Sequence, residues 1–180
     1  MPLDDLEIKA GNKVVSLYID NSFSTDSKGD LGYVLETEKD KAISIVDGYE
    51  AADKFHLVTN DFEGHLQRVY SKEDILQLIE DVNPSPVTRT ISEVILRQKD
   101  VLNTAESENR QAYLLSDYQK SISDFENVKA DSNISFRLVP FEKLVKGNFY
   151  IDSIWFGSPH RKSSAEESLF ARVFNLSEQD

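Results

Sequence analysis

The sequence contains no cysteine, which excludes disulfides, thiolate metal centres and cysteine nucleophiles. That absence leaves the cellular compartment open. Positive charge is also scarce: 20 Lys and Arg face 32 Asp and Glu, for a net charge of −12. Such a chain repels the phosphate backbone of nucleic acids and anionic lipid headgroups, so neither is an expected partner. No apolar run approaches the ~20 residues that span a bilayer, and the opening MPLDDLEIKAGNK has neither a basic nor an apolar leader region. Patterns of the G-x-S-x-G, H-E-x-x-H, G-x-G-x-x-G and Walker A types are missing, which removes the footing for hydrolase, zinc protease, dinucleotide and ATPase readings.

What is present suits one well-packed domain. The 180 residues are 39% hydrophobic, enough for a core of ordinary size. Val14 to Ile19 (VVSLYI) is a short β-branched and aromatic run that reads as a strand buried on both faces. A loop rich in Ser, Asp and Gly follows to Asp30. From Gly32 to Ala52, Val34, Leu35, Ala42, Ile43, Ile45 and Val46 recur at helical spacing. Phe55 to Thr59 is a second buried strand and Leu66 to Tyr70 a third short one. Ser71 is an N-cap with an acidic first turn, opening a helix to Glu80. The prolines at 84 and 86 force an extended loop before a helix over Thr90 to Asn103. Ala112 to Ser116 is a buried strand, residues 118 to 128 a short helix, and Ile134 to Val139 a strand. The order β, α, β, β, α, α, β, α, β predicts an α/β fold, a doubly wound and mainly parallel Rossmann-like sheet with helices on both faces.

After Gly147 the texture changes. Asn148 to Phe156 and Ser168 to Asn175 alternate as strands without an intervening helix. The expected division is therefore a domain over 1–147 and a C-terminal β-strand pair over 148–180, the start of a second β-rich domain. Tyr150, Trp155 and Phe156 are expected to form one buried face of that pair.

Asp20, Ser22 and Ser24 form D-x-S-x-S directly after the first strand. A carboxylate and two hydroxyls are hard oxygen donors that suit Mg²⁺, Ca²⁺ or Mn²⁺. In a doubly wound sheet ligands bind at the carboxyl ends of the strands, where the strand order reverses, and the first strand borders that crevice. Asp117 ends the strand expected beside it. Thr90, with Thr88 as runner-up, offers a further hydroxyl at a helix start.

Strand-DxSxS, a Thr before a mid-chain helix and strand-Asp resemble the metal-ion-dependent adhesion site (MIDAS) of von Willebrand factor A domains, over about residues 12 to 145. More narrowly, YIDNSFS at 18–24, LVTNDFEG at 57–64, SPVTRTISEVILRQ at 85–98 and YLLSDYQK at 113–120 resemble bacterial aerotolerance membrane proteins of the BatA-like type. The resemblance implies that Ser22, Ser24 and Thr90 contact a cation while Asp20 and Asp117 orient its bound water. It implies further that an acidic residue of a partner protein completes the metal shell, with no catalysis. It places the domain in the cell envelope, as a periplasmic piece of a membrane-anchored parent and without membrane contact of its own. Tyr118 departs from the pattern, standing where such domains usually carry Gly after the Asp.

Blander readings stand beside these. Asp20, Asn21 and Ser22 also suit plain turn chemistry at a strand end. Asn60-Asp61-Phe62 either lines the rim of the site or merely terminates its strand. His56 and His65 read as structural, and His160 with Arg161 and Lys162 as a solvated loop. The competing functions are an Mg²⁺-dependent phosphohydrolase of the aspartate-nucleophile type and a structural module with a vestigial metal site. The first wants a second acid two positions after Asp20, where Ser22 stands.

Overall fold

The structure, a computed structural model, describes residues 12–23, 28–29, 32–129, 131–141, 149–157 and 168–175. Its elements in chain order are strands β1 (Val14–Ile19), β2 (Lys28–Gly29) and β3 (Gly32–Tyr33), helix α1 (Val34–Asp47), strand β4 (Lys54–Val58), helices α2 (Lys72–Glu80) and α3 (Ile91–Thr104), and strands β5 (Arg110–Ser116), β6 (Ile134–Pro140), β7 (Phe149–Phe156) and β8 (Leu169–Asn175). Two compact units result, Met1–Lys143 and Leu144–Asp180.

The first unit is built on a parallel sheet in the order β4-β1-β5-β6. β1 is central and buried at all six positions, as its unbroken apolar run requires. Its odd residues Val15, Leu17 and Ile19 face Leu35, Ala42 and Val46 of α1 and Ile75 and Ile79 of α2. Its even residue Tyr18 joins Leu114 of β5 against Ile91, Val94 and Ile95 of α3 on the other side. Period-2 alternation thus feeds one strand into two cores, and the helices cover both faces. The fold is α/β with the expected parallel sheet.

Local signals explain the helix starts. Ser71 accepts the Asp74 N–H with its side chain, and Thr90 forms a full capping box with Glu93. Two expected elements differ. The segment 66–70 contributes a short 3₁₀ turn, Gly64–Leu66, and an isolated antiparallel bridge from Tyr70 to Phe55. Residues 118–128 form turns and a 3₁₀ turn, Phe125–Asn127, and no α-helix. Tyr118 enters that stretch at φ +46°, a left-handed backbone that cannot start a helix. The helix expected from Gly32 starts at Val34, because Lys28–Gly29 and Gly32–Tyr33 pair as a two-residue ladder.

In the second unit β7 and β8 pair antiparallel, from Phe149 opposite Asn175 to Phe156 opposite Leu169. Trp155 stacks on Phe170 with ring centroids 5.8 Å apart. A Cβ on Gly157 would meet the Phe170 ring at 2.9 Å, so a larger residue here would push that ring aside. The expected single buried face is corrected here. Neighbours on a strand point to opposite sides, and Ile154, Trp155 and Phe156 are all exposed. The side chain of Tyr150 lies outside the described residues.

Candidate functional site

β1 delivers Asp20 to the carboxyl end of the sheet, and its backbone N–H donates to the Leu115 carbonyl of β5 at 3.0 Å. The carboxylate is 1% exposed. One oxygen, Oδ1, accepts from the Ser22 N–H at 3.1 Å and the Asn60 side-chain amide at 3.0 Å. The other, Oδ2, accepts from the Ser116 hydroxyl at 2.7 Å. Strand ends β1, β4 and β5 therefore meet on one carboxylate, since Asn60 follows β4 and Ser116 closes β5. The bond to Ser22 is an Asx turn, so the turn chemistry expected of this segment is present within the same cluster.

A second layer fixes the neighbouring loops. Asn60 accepts the Tyr18 hydroxyl hydrogen at 2.6 Å, and its backbone N–H donates to Asn21 at 2.9 Å. Asn21 donates to the Asp61 carboxylate at 3.0 Å and to the Asn83 carbonyl at 2.8 Å. Ser85 in the proline loop donates its hydroxyl to Asp61 at 2.6 Å and its N–H to the Asn21 carbonyl at 2.7 Å. Arg89 donates to the Asn60 carbonyl at 3.0 Å, which brings the start of α3 to the same edge. Beside these residues opens a cleft of about 310 Å³, lined in part by Asn21, Asp61, Glu63 and Asp81.

Of the five residues expected to hold a cation, Asp20 and Ser22 are buried together, and Asp117 directly follows Ser116. Ser24 lies outside the described residues. Thr90 reaches the right edge, but its hydroxyl accepts the Glu93 N–H at 3.4 Å and bonds the Ser92 hydroxyl at 3.1 Å. Thr88, two residues earlier, is exposed. Asp117 accepts from the Gln119 amide at 2.9 Å. Among the described residues no group of three or more His, Asp or Glu side chains is close enough to hold a metal, so any cation here depends on hydroxyl and water oxygens.

Burial and nearby acids act on the two tyrosines of this end. Burial raises the Tyr18 pKa well above its ordinary value, and Asp20, Glu38 and Asp117 raise it further. Burial likewise raises the Tyr118 pKa, with Glu38 and Asp20 adding to the effect. Three carboxylates therefore act on one buried region. Glu38 was not anticipated: it sits on the buried stripe of α1 and is 0% exposed. Its signal was an acid on the stripe that Val34, Leu35, Ala42 and Val46 define. Asn60 carried a partial signal as a strand end, and Ser116 carried none beyond its position.

Tyr118 keeps the left-handed backbone that a glycine would adopt freely. It does so because its ring packs against the α3-side core and its hydroxyl donates to the Leu114 carbonyl at 2.5 Å. Phe62, after β4, repeats the pattern at φ +50°, with the Arg89 guanidinium 4.5 Å from its ring centre. His56 is structural. It bonds Ser16 at 2.9 Å on the adjacent strand, and burial, then the Arg97 charge, lower its pKa to about 4. His65 is exposed, 3.6 Å from Glu63.

Comparison with solved structures finds this fold in other proteins. BatB from Bacteroides thetaiotaomicron superposes with a TM-score of 0.54 at 16% identity, covering 90% of this chain and 80% of its own. An aerotolerance-related membrane protein from Bacteroides fragilis NCTC 9343 gives 0.53 at 19% identity, covering 90% and 81%. The fold is von Willebrand factor A-like. No protein-family model matches the sequence, and no curated protein does. Among the described residues no helix is long and apolar enough to cross a membrane.

Proposed function

We propose that this chain is the interaction module of a membrane-associated bacterial protein of the BatA/BatB type, and that it binds a partner protein through a divalent cation. Asp20, Ser22, Ser24 and Asp117 would hold the ion, preferably Mg²⁺, with Thr90 or Thr88 as a further oxygen. The observation that carries the reading is the convergence of the β1, β4 and β5 ends on the buried Asp20 carboxylate, with Asp117 directly after Ser116. The donor set fits a hard cation, since every candidate is a carboxylate or hydroxyl. When bound, the ion supplies an open coordination position for a partner's carboxylate. The residues themselves position the ligating oxygens: Asn60 and Ser116 fix the Asp20 rotamer, and the Asn21–Asp61–Ser85 network fixes the loop that carries Ser22. The likeness in fold to an aerotolerance-related membrane protein supports the membrane-associated setting, and a periplasmic position for the domain belongs to the same proposal.

No step of this reading requires bond making in a substrate, so the proposed role is binding and not catalysis. A second reading, a structural module with a vestigial site, is favoured by the three donors already satisfying Asp20 and by the bulk of Tyr118. Thermal melting in EDTA against added Mg²⁺, Mn²⁺ and Ca²⁺ separates the two. A cation at a hundredfold excess over its Kd stabilises by about 2.7 kcal/mol, a Tm rise of several degrees that Asp20→Ala abolishes. Identical melting with and without every cation overturns the proposal and leaves the vestigial module.

A further inference from the structure

At the opposite end of the strands a groove of about 750 Å³ opens between α1 and the starts of β5 and β6, lined among others by Lys13, Tyr49, Gln111, Tyr113, Ser135 and Arg137. That size is ordinary for a small-molecule site. The sheet register explains the gathering: Tyr113 lies opposite Arg137 and Gln111 opposite Ser135, and all four project to the α1 face.

Two cations here are held by aromatic rings and not by acids, in a chain where acids outnumber bases 32 to 20. The Lys13 ammonium lies 5.5 Å from the Tyr49 ring centre, and the Arg137 guanidinium 5.3 Å from that of Tyr113. Neither forms an ion pair with a carboxylate among the described residues. Among the described residues Glu108 is the one acid on the groove wall, and the Arg110 guanidinium is turned to the Ser107 and Ala105 carbonyls and the Asn103 side chain.

The hydroxyl network has a defined direction. Tyr49 donates its hydrogen to Gln111 Oε1 at 2.5 Å, so Tyr113 is the donor in the 2.8 Å bond between the two hydroxyls. Arg137 in turn donates to the Tyr113 oxygen. Both tyrosine hydrogens and the amide oxygen are thereby consumed. What Lys13 and Arg137 have left over is N–H donors, since a guanidinium carries five and an ammonium three, none of which can accept, and the serine hydroxyls on the same wall can donate beside them. We propose that this groove binds an oxyanion, carboxylate or phosphoryl, between Lys13 and Arg137. The site is independent of the cation reading, because the groove shares no residue with it and Tyr113 stands three residues, ~10 Å, along β5 from Ser116.

The test is an NMR titration of the full chain with phosphate and with succinate, against sodium chloride at matched ionic strength. The Gln111 side-chain amide and the Arg137 Nε–H are the reporters. The expected result is saturable shifts at both in the wild type with a Kd near 1 mM, weakened about tenfold by Lys13→Met and by Arg137→Gln and lost in the double variant, with the Gln111 amide as the reporter wherever Arg137 is replaced. Stronger response to phosphate assigns a phosphoryl group and stronger response to succinate a carboxylate. Because both substitutions alter exposed or half-exposed ends, an unchanged amide spectrum verifies folding. Shifts that stay linear to about 50 mM, that chloride reproduces, or that both variants retain overturn the proposal.

Discussion

Asp20→Ala removes the acceptor on which three buried donors converge, and its cost in the absence of any cation follows from the structure. Ser116, Asn60 and Ser22 are all nearly inaccessible, so water cannot easily replace the lost partner. Asn60 keeps its bond from Tyr18 and Ser116 keeps the one it accepts from the Tyr118 N–H, so neither side chain is wholly stranded. A hydrogen bond to a charged acceptor contributes about 1.5–3 kcal/mol, and with two of the three donors keeping a second bond the net loss should be about 3–5 kcal/mol. Asp20→Asn retains the shape and one acceptor oxygen, and the Ser116 hydroxyl can rotate to accept, so it should cost only about 1 kcal/mol. Urea unfolding in EDTA followed by far-UV circular dichroism measures both, with m expected to stay constant. An Ala variant within about 1 kcal/mol of wild type, or an Asn variant as damaged as the Ala variant, would refute the claim that these donors organise the strand ends.

Further outcomes follow from neighbouring contacts. Thr90→Ala should cost about 1 kcal/mol of stability through the lost capping box, whereas exposed Thr88→Ala should cost less than about 0.5 kcal/mol; if the cation response disappears only in the Thr88 variant, that hydroxyl is the ligating one. Tyr118→Gly relieves about 1 kcal/mol of left-handed strain but forfeits ring packing of about 3 kcal/mol, so a net loss near 2 kcal/mol is expected in denaturant melts. For His56 the sign is set by its lowered pKa. The unfolded imidazole protonates below 6.5 while the folded one stays neutral down to about 4, so stability is full above 6.5 and falls as pH drops between those values. The full loss is about 3 kcal/mol, and His56→Gln should flatten that part of the profile. For Asp124, burial pushes the carboxyl up, yet hydrogen bonds from Ser92 and Asn127 outweigh it and bring the pKa to about 2. Its contribution persists above 3.8 and is lost as pH falls through about 2, which Asp124→Asn should show as a shallower acid limb.

Much of this architecture is legible in the residues. β1, β4 and β5 are buried on both sides, and such strands read as unbroken apolar runs. Ser71 and Thr90 announce their helices because N-cap chemistry is local. The turn after Asp117 is not legible: aromatic packing holds Tyr118 in a backbone that its own propensity disfavours. The third strand shrinks to one bridge because Leu66 is spent in a 3₁₀ turn and only Tyr70 reaches Phe55. At the site, D-x-S-x-S and Asp117 mark the right edge of the sheet. Asn60 follows β4, Ser116 closes β5 and Glu38 sits in α1, and their role depends on strand order and helix facing. Trp155 and Phe156 are exposed where their hydrophobicity suggests burial, because hydrophobicity alone does not say whether a hairpin face finds a cover.

The most direct test of the central claim is paramagnetic broadening of amide resonances by Mn²⁺. The seven residues of β5 separate the two ends of the sheet by ~20 Å, so position is readily distinguished. The account predicts saturable broadening at residues 20–22, 60 and 116–118, displaced by Mg²⁺, with Val14, Arg110 and Ile134 at the strand starts unaffected. Broadening that does not saturate, or that centres on the strand starts, would contradict it.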